Sequence, residues 1–154
     1  MPPYKLAADS MLGGLAKWLR LLGIDTLYLP QGPKPVHRDR ILITRRSSQP
    51  HQKIPVGWAG VVRVTANDTQ SQLREAVTEL DLRREDLEPL TICSICNEAL
   101  ERVSPDTVAD QVWPYVLATQ TSFSRCPGCG RIYWPATHYE RITAVIDDVF
   151  TAAG

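Results

Sequence analysis

Four cysteines carry the clearest chemistry in the sequence. They form two C-x-x-C pairs, Cys93 with Cys96 and Cys126 with Cys129. A C-x-x-C turn can direct both sulfurs at one point, so two pairs supply the four thiolates of a tetrahedral Zn²⁺ shell. Gly130, directly after the second pair, suits a turn that needs positive φ. The sequence therefore predicts a structural zinc site at these four cysteines.

Other interpretations of the cysteines stay open at this point. They could form two disulfides, be unrelated core residues, or act as a redox dithiol, although a dithiol usually needs only one C-x-x-C beside a βαβ unit. The beginning of the chain, Met1 to Leu6, lacks the apolar stretch of a signal peptide, and no run of 18 apolar residues occurs. We therefore expect a cytoplasmic protein without a membrane span, a compartment that favours metal thiolates over disulfides.

The charge is unevenly distributed along the 154 residues. The formal net charge is zero, but residues 1–63 contain ten Lys and Arg against three acids, a local balance of +7. A basic first half suggests a polyanionic partner, with nucleic acid the leading candidate. A solvated surface of uneven charge is the alternative that composition leaves open.

Alternating strand and helix signals predict an α/β first half. Apolar runs predict strands at 4–8, 25–29, 41–44 and 61–64, and 3.6-residue periodicity predicts helices at 11–22 and 67–80. We expect Ser10 to cap the first helix, with Lys17 and Arg20 on its polar face, and Asn67 or Asp68 to cap the second. The strand–helix–strand run over 4–29 predicts two parallel strands, and the Pro-rich segments 30–40 and 47–60 predict loops.

Asp9 ends the first strand and Arg45-Arg46 follows the third. Because ligands of open α/β sheets bind at the carboxyl ends of the strands, Asp9 is a candidate ligand for Mg²⁺ or Mn²⁺, with helix capping as the alternative.

A polar stretch ending near residue 88 predicts a boundary between residues 1–88 and 89–154. The second part holds the cysteine turns, short strands and a final amphipathic helix over 137–150. Next to Arg131 and Arg141 lies an aromatic group that could stack on unpaired bases or pack the final helix on its neighbours. Its members are Tyr133, Trp134, His138 and Tyr139.

The segments 9–26, 40–45, 93–97, 126–134 and 137–138 together resemble the Mut-seven C-terminal RNase domain family over nearly the whole chain. The resemblance implies a small PIN-like parallel sheet with flanking helices, then a zinc-ribbon subdomain and a C-terminal helix. It also implies metal-dependent RNA hydrolysis, in which several carboxylates hold Mg²⁺ or Mn²⁺ ions that activate water. Asp9 matches the first of those carboxylates.

The sequence departs from the family at the next expected acid, where Arg46 stands. At about 4 Å and an effective dielectric near 20, replacing an acid by Arg turns roughly 4 kcal/mol of attraction for a cation into repulsion. Asp9, with Asp25 or Asp39 nearby at best, would be a poor metal cage. We therefore predict an RNA-binding protein whose nuclease site is lost or weakened. Its predicted RNA contacts are Lys17, Arg20, Arg45, Arg46, Arg131, Trp134 and His138.

Two further functions compete with this prediction. An active ribonuclease would combine Asp9 with other acids, such as Asp25, Asp39 or Asp68, and would need Mg²⁺ or Mn²⁺ besides the structural zinc. A protein-interaction module would use the ribbon to dock a protein partner without RNA. The sequence names no RNA, although ribosomal or another structured RNA is a candidate.

Overall fold

The computed structural model describes residues 4–47, 49–135 and 137–153. Within them, four parallel strands form one sheet in the order β2-β1-β3-β4. The strands are β1 (Lys5–Ala8), β2 (Thr26–Tyr28), β3 (Arg40–Thr44) and β4 (Gly60–Arg63). The predicted α/β class and the parallel pairing of the first two strands are confirmed.

Helix α1 (Gly13–Leu21) crosses from β1 to β2 and buries its apolar side on the sheet. The prediction that Ser10 caps this helix was wrong. The helix begins later than expected, its N-cap position is Leu12, and no side chain caps it. The Ser10 amide instead donates a hydrogen bond to the Asp9 carboxylate, so the turn after β1 positions Asp9 and does not cap the helix.

Helix α2 (Thr69–Glu79) packs beside α1 on the same face of the sheet. Here the predicted cap is confirmed, because the Asp68 carboxylate accepts the Ser71 amide at 2.9 Å. A capped N-terminus satisfies one of the four free amides of a helix.

Gly23 ends α1 and lets another segment pass close to it. Its φ is +87°, and a Cβ there would lie 2.2 Å from the Glu88 carbonyl oxygen. The amides of Glu88 and Leu90 donate to the carbonyls of Leu22 and Leu21, each at 3.1 Å. The linker to the second half is therefore bonded to the end of α1.

The second half contains a small antiparallel sheet, which with its two cysteine turns we call the ribbon. Its strands are β5 (Glu101–Val103), β6 (Phe123–Arg125) and β7 (Ile132–Tyr133), and α3 (Pro105–Val108) and α4 (Pro114–Thr119) lie between the first two. Both short helices have Pro near the N-terminus, where its missing amide costs nothing.

The last helix, α5 (Thr137–Ala153), leaves the ribbon and packs against α2. Ile142, Ile146 and Val149 are buried in the same core cluster as the α2 residues Leu73 and Val77. This helix therefore completes the core of the α/β half (β1 to β4, α1 and α2). The predicted boundary at residue 88 stays a prediction.

The other face of the sheet is covered by loop residues. Ala7, Leu29 and Leu42 form a small buried cluster there under Ile54 and Trp58. The Pro-rich segments 30–39 and 47–59 form no α-helix in their described residues, as the sequence predicts. Among the helices of the described chain, none has the length and apolar character that crossing a membrane requires.

Candidate functional site

The carboxyl edge of the sheet holds a buried carboxylate. Asp9 follows β1 and is fully buried. Its Oδ1 accepts the Ser10 amide at 2.7 Å, while its Oδ2 accepts the Thr44 hydroxyl at 2.6 Å and the Arg46 Nε at 2.8 Å. The Ser10 hydroxyl also donates to Oδ1, at 3.4 Å, so four hydrogen bonds from three residues, one of them cationic, satisfy this carboxylate.

The strand order brings these residues together. β1 and β3 are adjacent and parallel, with Ala8 opposite Ile43, so the loops after both strands leave the sheet at the same edge. The chain continues from β1 toward β2 on one side, and β3 lies on the other. Such a reversal of strand order is where open α/β sheets bind their ligands. Asp9 and Arg46 occupy that position.

Other acids do not join Asp9 in a metal cage. Asp25 and Asp39 precede β2 and β3, so they lie at the amino edge of the sheet, opposite Asp9. The expectation that they could approach Asp9 was wrong. Asp68 lies after β4 and caps α2. Among the described residues, His, Cys, Asp and Glu side chains gather as a possible metal site only at the four cysteines.

Asp25 is engaged at the amino edge instead. Its carboxylate accepts Arg40 Nη1 at 2.8 Å and the side-chain amide of Asn97 at 2.6 Å. Burial would raise the pKa of Asp25, but the hydrogen bonds from Arg40 and Asn97 outweigh it and lower the pKa. This carboxylate therefore serves as an anchor for the ribbon.

The four cysteines meet at one point. All four are free thiols, and the sulfurs of Cys93, Cys96, Cys126 and Cys129 lie within 4.8 Å of one another. Cys93 Sγ is 3.8 Å from Cys129 Sγ. A tetrahedral ion with metal–sulfur bonds of about 2.3 Å separates its sulfurs by roughly 3.8 Å. These residues could hold a metal ion such as zinc.

The two cysteine turns have the same backbone. In each, the amide after the second cysteine bonds the carbonyl of the first, Asn97 to Cys93 at 3.0 Å and Gly130 to Cys126 at 2.9 Å. Asn97 and Gly130 both have positive φ, 64° and 79°, a region that Gly and Asn tolerate best. Sequence reasoning identified Gly130 as a positive-φ residue but missed Asn97. The signal was available, since Asn97 follows its C-x-x-C pair directly, as Gly130 does.

Tyr133 supports the sulfur cluster from the third ribbon strand. Its hydroxyl lies 3.2 Å from Cys93 Sγ and accepts the Ser94 amide at 3.1 Å. Burial of Cys93 opposes its thiolate, but hydrogen bonds from Tyr133 and from the Cys96 and Ile95 amides lower the pKa of Cys93 to about 7. A partner that orients a ligand in this way is typical of metal sites.

At Cys96, the neighbouring sulfurs raise the pKa of the thiol, whereas the pKa of Cys93 is lowered. The hydrogen bond with Cys129, followed by burial, raises the pKa of Cys96 to about 12. Four sulfurs this close cannot all be anionic by themselves, because each thiolate repels the next. A bound divalent cation removes that repulsion and deprotonates its thiols, so the donor set suits such an ion.

Arg20 fixes the first cysteine turn to α1. Its Nε donates to the Thr26 carbonyl at 2.8 Å, and its Nη1 donates to the carbonyls of Ser94 and Ile95 at 3.1 Å each. The expectation that Arg20 lies on the polar face of α1 was wrong, because the residue is only 8% exposed. Burial lowers the pKa of Arg20, and the nearby sulfurs oppose that shift.

The other predicted RNA contacts separate into two groups. Arg45 is partly exposed beside Arg46 and donates to Asn67 Oδ1 at 2.8 Å. Lys17, Arg131 and Trp134 line one cleft between α1 and the ribbon. The side chain of His138 lies outside the described residues. The sequence reasoning missed Trp18 of α1, which the fold alone brings into this cleft.

Comparison with known proteins agrees with this architecture. A family model described as the Mut7-C RNAse domain matches residues 4–146, which includes both the sheet and the cysteine cluster. The chain belongs to the Mut7-C RNase domain family. Searches of curated proteins and of solved structures returned no match. The resemblance predicted from the sequence is confirmed, and the protein is a member of a ribonuclease family that combines a parallel α/β sheet with a four-cysteine cluster.

Proposed function

We propose that this Mut7-C protein binds RNA and does not hydrolyse it. The observation that carries the proposal is the Asp9–Arg46 ion pair at 2.8 Å, with the Asp9 side chain fully buried. A guanidinium occupies the position next to the carboxylate where a catalytic metal ion would need a second acid.

The electrostatics of the pair oppose a divalent cation. Asp9 already accepts four hydrogen bonds, so a metal ion would have to displace charged and neutral donors before it could coordinate. The positive charge of Arg46 would then repel that divalent ion by roughly 8 kcal/mol at 4 Å and an effective dielectric near 20, twice the value for two unit charges. Without that ion, the site would lack the metal-activated water on which the hydrolysis implied by the family resemblance depends.

The same edge suits phosphate binding. Arg46 is 27% exposed, and Arg45 beside it is partly exposed, with its Nη2 donating to Asn67 Oδ1. Arg guanidinium groups bind phosphate oxygens through paired hydrogen bonds. We propose a structural Zn²⁺ on the four cysteines, with Mg²⁺ or Mn²⁺ needed only if the protein hydrolyses RNA. Ribosomal or another structured RNA and a cytoplasmic location stay predictions.

A cleavage assay tests the proposal directly. Labelled single-stranded and structured RNAs are incubated with the zinc-loaded protein in Mg²⁺ and then in Mn²⁺, and binding is measured on the same samples. We expect binding that weakens steeply with salt and no cleavage in either metal. Metal-dependent cleavage that disappears in Asp9→Asn would overturn the loss of catalysis, whereas cleavage unchanged in that variant would identify a contaminating nuclease.

A protein-interaction module is the second candidate function. Trp113 and Tyr115 are 79% and 77% exposed at the start of α4, in the insertion between the cysteine turns. Large exposed aromatic side chains of this kind occur at protein interfaces. Co-purification of a partner that resists nuclease treatment and is lost in Trp113→Ser would favour this function. A partner released by the nuclease would favour RNA.

A further inference from the structure

A cleft of about 260 Å³ separates α1 from the ribbon and the beginning of α5. Its charged and aromatic lining comes from three elements. Helix α1 contributes Lys17 and Trp18, the segment after the second cysteine turn contributes Arg131, Tyr133 and Trp134, and α5 contributes Arg141. The cleft thus exists only when the two halves of the chain are docked.

The cleft is positively charged without internal compensation. None of the described residues that line it is acidic. Lys17 and Arg141 are exposed and form no ion pair with an acid in the described part of the chain. Arg131 lies 5.9 Å from the centre of the Tyr133 ring, over one face. Three cations that lack a carboxylate partner favour an anion with more than one negative charge.

The aromatic side chains of the cleft are held in place. Trp134 packs against Phe123 with ring centroids 6.2 Å apart, and the Tyr133 hydroxyl is bonded to the Ser94 amide. Trp18 is half-buried on α1. Because these rings are fixed before any ligand arrives, stacking on them costs little conformational entropy.

We propose that this cleft binds a single unpaired nucleotide within an RNA strand. The base stacks on Trp134, which Phe123 holds in place, and the flanking phosphates contact Lys17, Arg131 and Arg141. This inference rests on the proposed function, because it assumes that the protein binds RNA. Beyond that function, it specifies that an unpaired nucleotide is recognised and that the cleft between α1 and the ribbon recognises it.

The dimensions and the lining favour an unpaired nucleotide over other anions. A cleft of this volume lies near the lower limit of ordinary ligand pockets, roughly 300 Å³, so it has room for one base and not for a duplex. An acidic peptide would use the cations but leave the rings without a stacking partner. An unpaired nucleotide can contact both, because its phosphates bind the cations and its base has a flat π-face that stacks on the rings.

Binding of a labelled single-stranded oligonucleotide to the zinc-loaded protein tests the proposal by fluorescence anisotropy. The variants are Lys17→Glu, Arg141→Glu and Trp134→Leu. The matched control is Lys53→Glu, an exposed position in the loop that covers the opposite face of the sheet. Zinc content and Tm are measured for each variant. Competitors are a duplex, an abasic strand of equal length and polyglutamate.

We expect each cleft variant to bind about tenfold more weakly, while Lys53→Glu binds like the unmodified protein. Each charge reversal should also reduce the salt slope by roughly 0.7, the value for one lost contact to a single strand. Trp134→Leu should keep the slope. The abasic strand should bind the unmodified protein as weakly as the intact strand binds Trp134→Leu. The abasic strand should bind Trp134→Leu with that same affinity, because the base and the ring lose the same contact.

Three results would overturn the inference, and they separate it from the proposed function. RNA binding unaffected by the cleft variants places the RNA elsewhere and leaves the proposed function standing. Polyglutamate or the abasic strand competing as well as intact RNA shows a general polyanion or peptide site. No RNA binding at low salt removes both proposals.

A cleft variant that loses zinc is replaced by a second experiment, photo-crosslinking of 4-thiouridine RNA to the unmodified protein. Crosslinks confined to peptides outside the cleft would contradict the inference.

Discussion

Asp9 shows how a buried carboxylate can be compensated by protein groups alone. A buried carboxylate needs compensation, and a metal ion or a guanidinium can supply it. Arg46 does so here through a 2.8 Å contact, together with the hydroxyl of Thr44. The Asp9 carboxylate is thereby held in an ion pair at the carboxyl edge of the sheet.

Arg46→Ala should destabilise the protein by about 1–3 kcal/mol. The change leaves the fully buried Asp9 carboxylate with two neutral donor residues and removes its cation. Urea denaturation at neutral pH measures the difference in the free energy of unfolding. Arg45→Ala is the matched control and should stay within about 0.5 kcal/mol, since its contacts are exposed. Equal effects of the two substitutions would mean that Asp9 does not depend on Arg46.

Sequence reasoning reached this pair but not Arg20, and the difference is physical. Asp9 and Arg46 follow parallel strands, so their approach follows from the strand assignment alone. The acceptors of Arg20 include the carbonyls of Ser94 and Ile95, more than 70 positions away. Because every residue has a backbone carbonyl, the sequence does not show which carbonyls accept hydrogen bonds from Arg20.

At the scale of elements, the first cysteine turn is bonded to α1 and β2. Arg20 reaches it from the helix, and the Asn97 side chain accepts the Thr26 amide at 2.9 Å while donating to Asp25. The edge of β2 is thereby capped by a side chain of the ribbon. The two halves are joined by specific polar contacts as well as by the linker after α2.

Arg20→Met should weaken this junction. Methionine keeps much of the buried volume but leaves three carbonyls without their donor, so we expect a loss of about 2–4 kcal/mol in the free energy of unfolding. Transfer of the metal to a chelator should also become faster, because the first cysteine turn is no longer fixed. Lys17→Met, one helical turn earlier and exposed, is the control for both measurements. A variant that matches this control in both would show that Arg20 does not fix the ribbon.

Most elements were predictable from local patterns, and the exceptions involve distant packing. The strands and α2 follow from apolar runs and from the Asp68 cap. The beginning of α1 was placed too early because Ser10 is a good N-cap residue, yet its amide is used by Asp9. The apolar stripe of α5 was evident, but its burial against α2 depends on tertiary structure that a stripe does not specify.

For the whole molecule, a metal on the cysteines should stabilise both halves. Cysteine turns 33 residues apart are held together at the sulfur cluster, and the first of them is bonded to the α/β half through Arg20 and Asn97. Binding free energy at a structural metal site becomes folding free energy. The metal should therefore affect residues far from its ligands.

Cys126→Ser should abolish stoichiometric zinc binding and lower the Tm of the entire chain. We expect the loss of one ligand to disorder the ribbon and to remove the contacts that cap β2, so circular dichroism and calorimetry should report one transition at a lower temperature. Chelation of the unmodified protein should reproduce the shift, and added Zn²⁺ should reverse it. A zinc-free chain with unchanged Tm would contradict this coupling.

The position of α5 also has a consequence for biosynthesis. Ile142, Ile146 and Val149 complete the core to which β1 also contributes, so the α/β half cannot close its core until α5 has been synthesised. The nascent α/β half exposes an apolar surface until then, for as long as synthesis of the intervening ribbon takes. A chain that stops between β7 and α5 would contain the four cysteines and the seven strands described here but would have an open core, which makes it a target for chaperones and proteases.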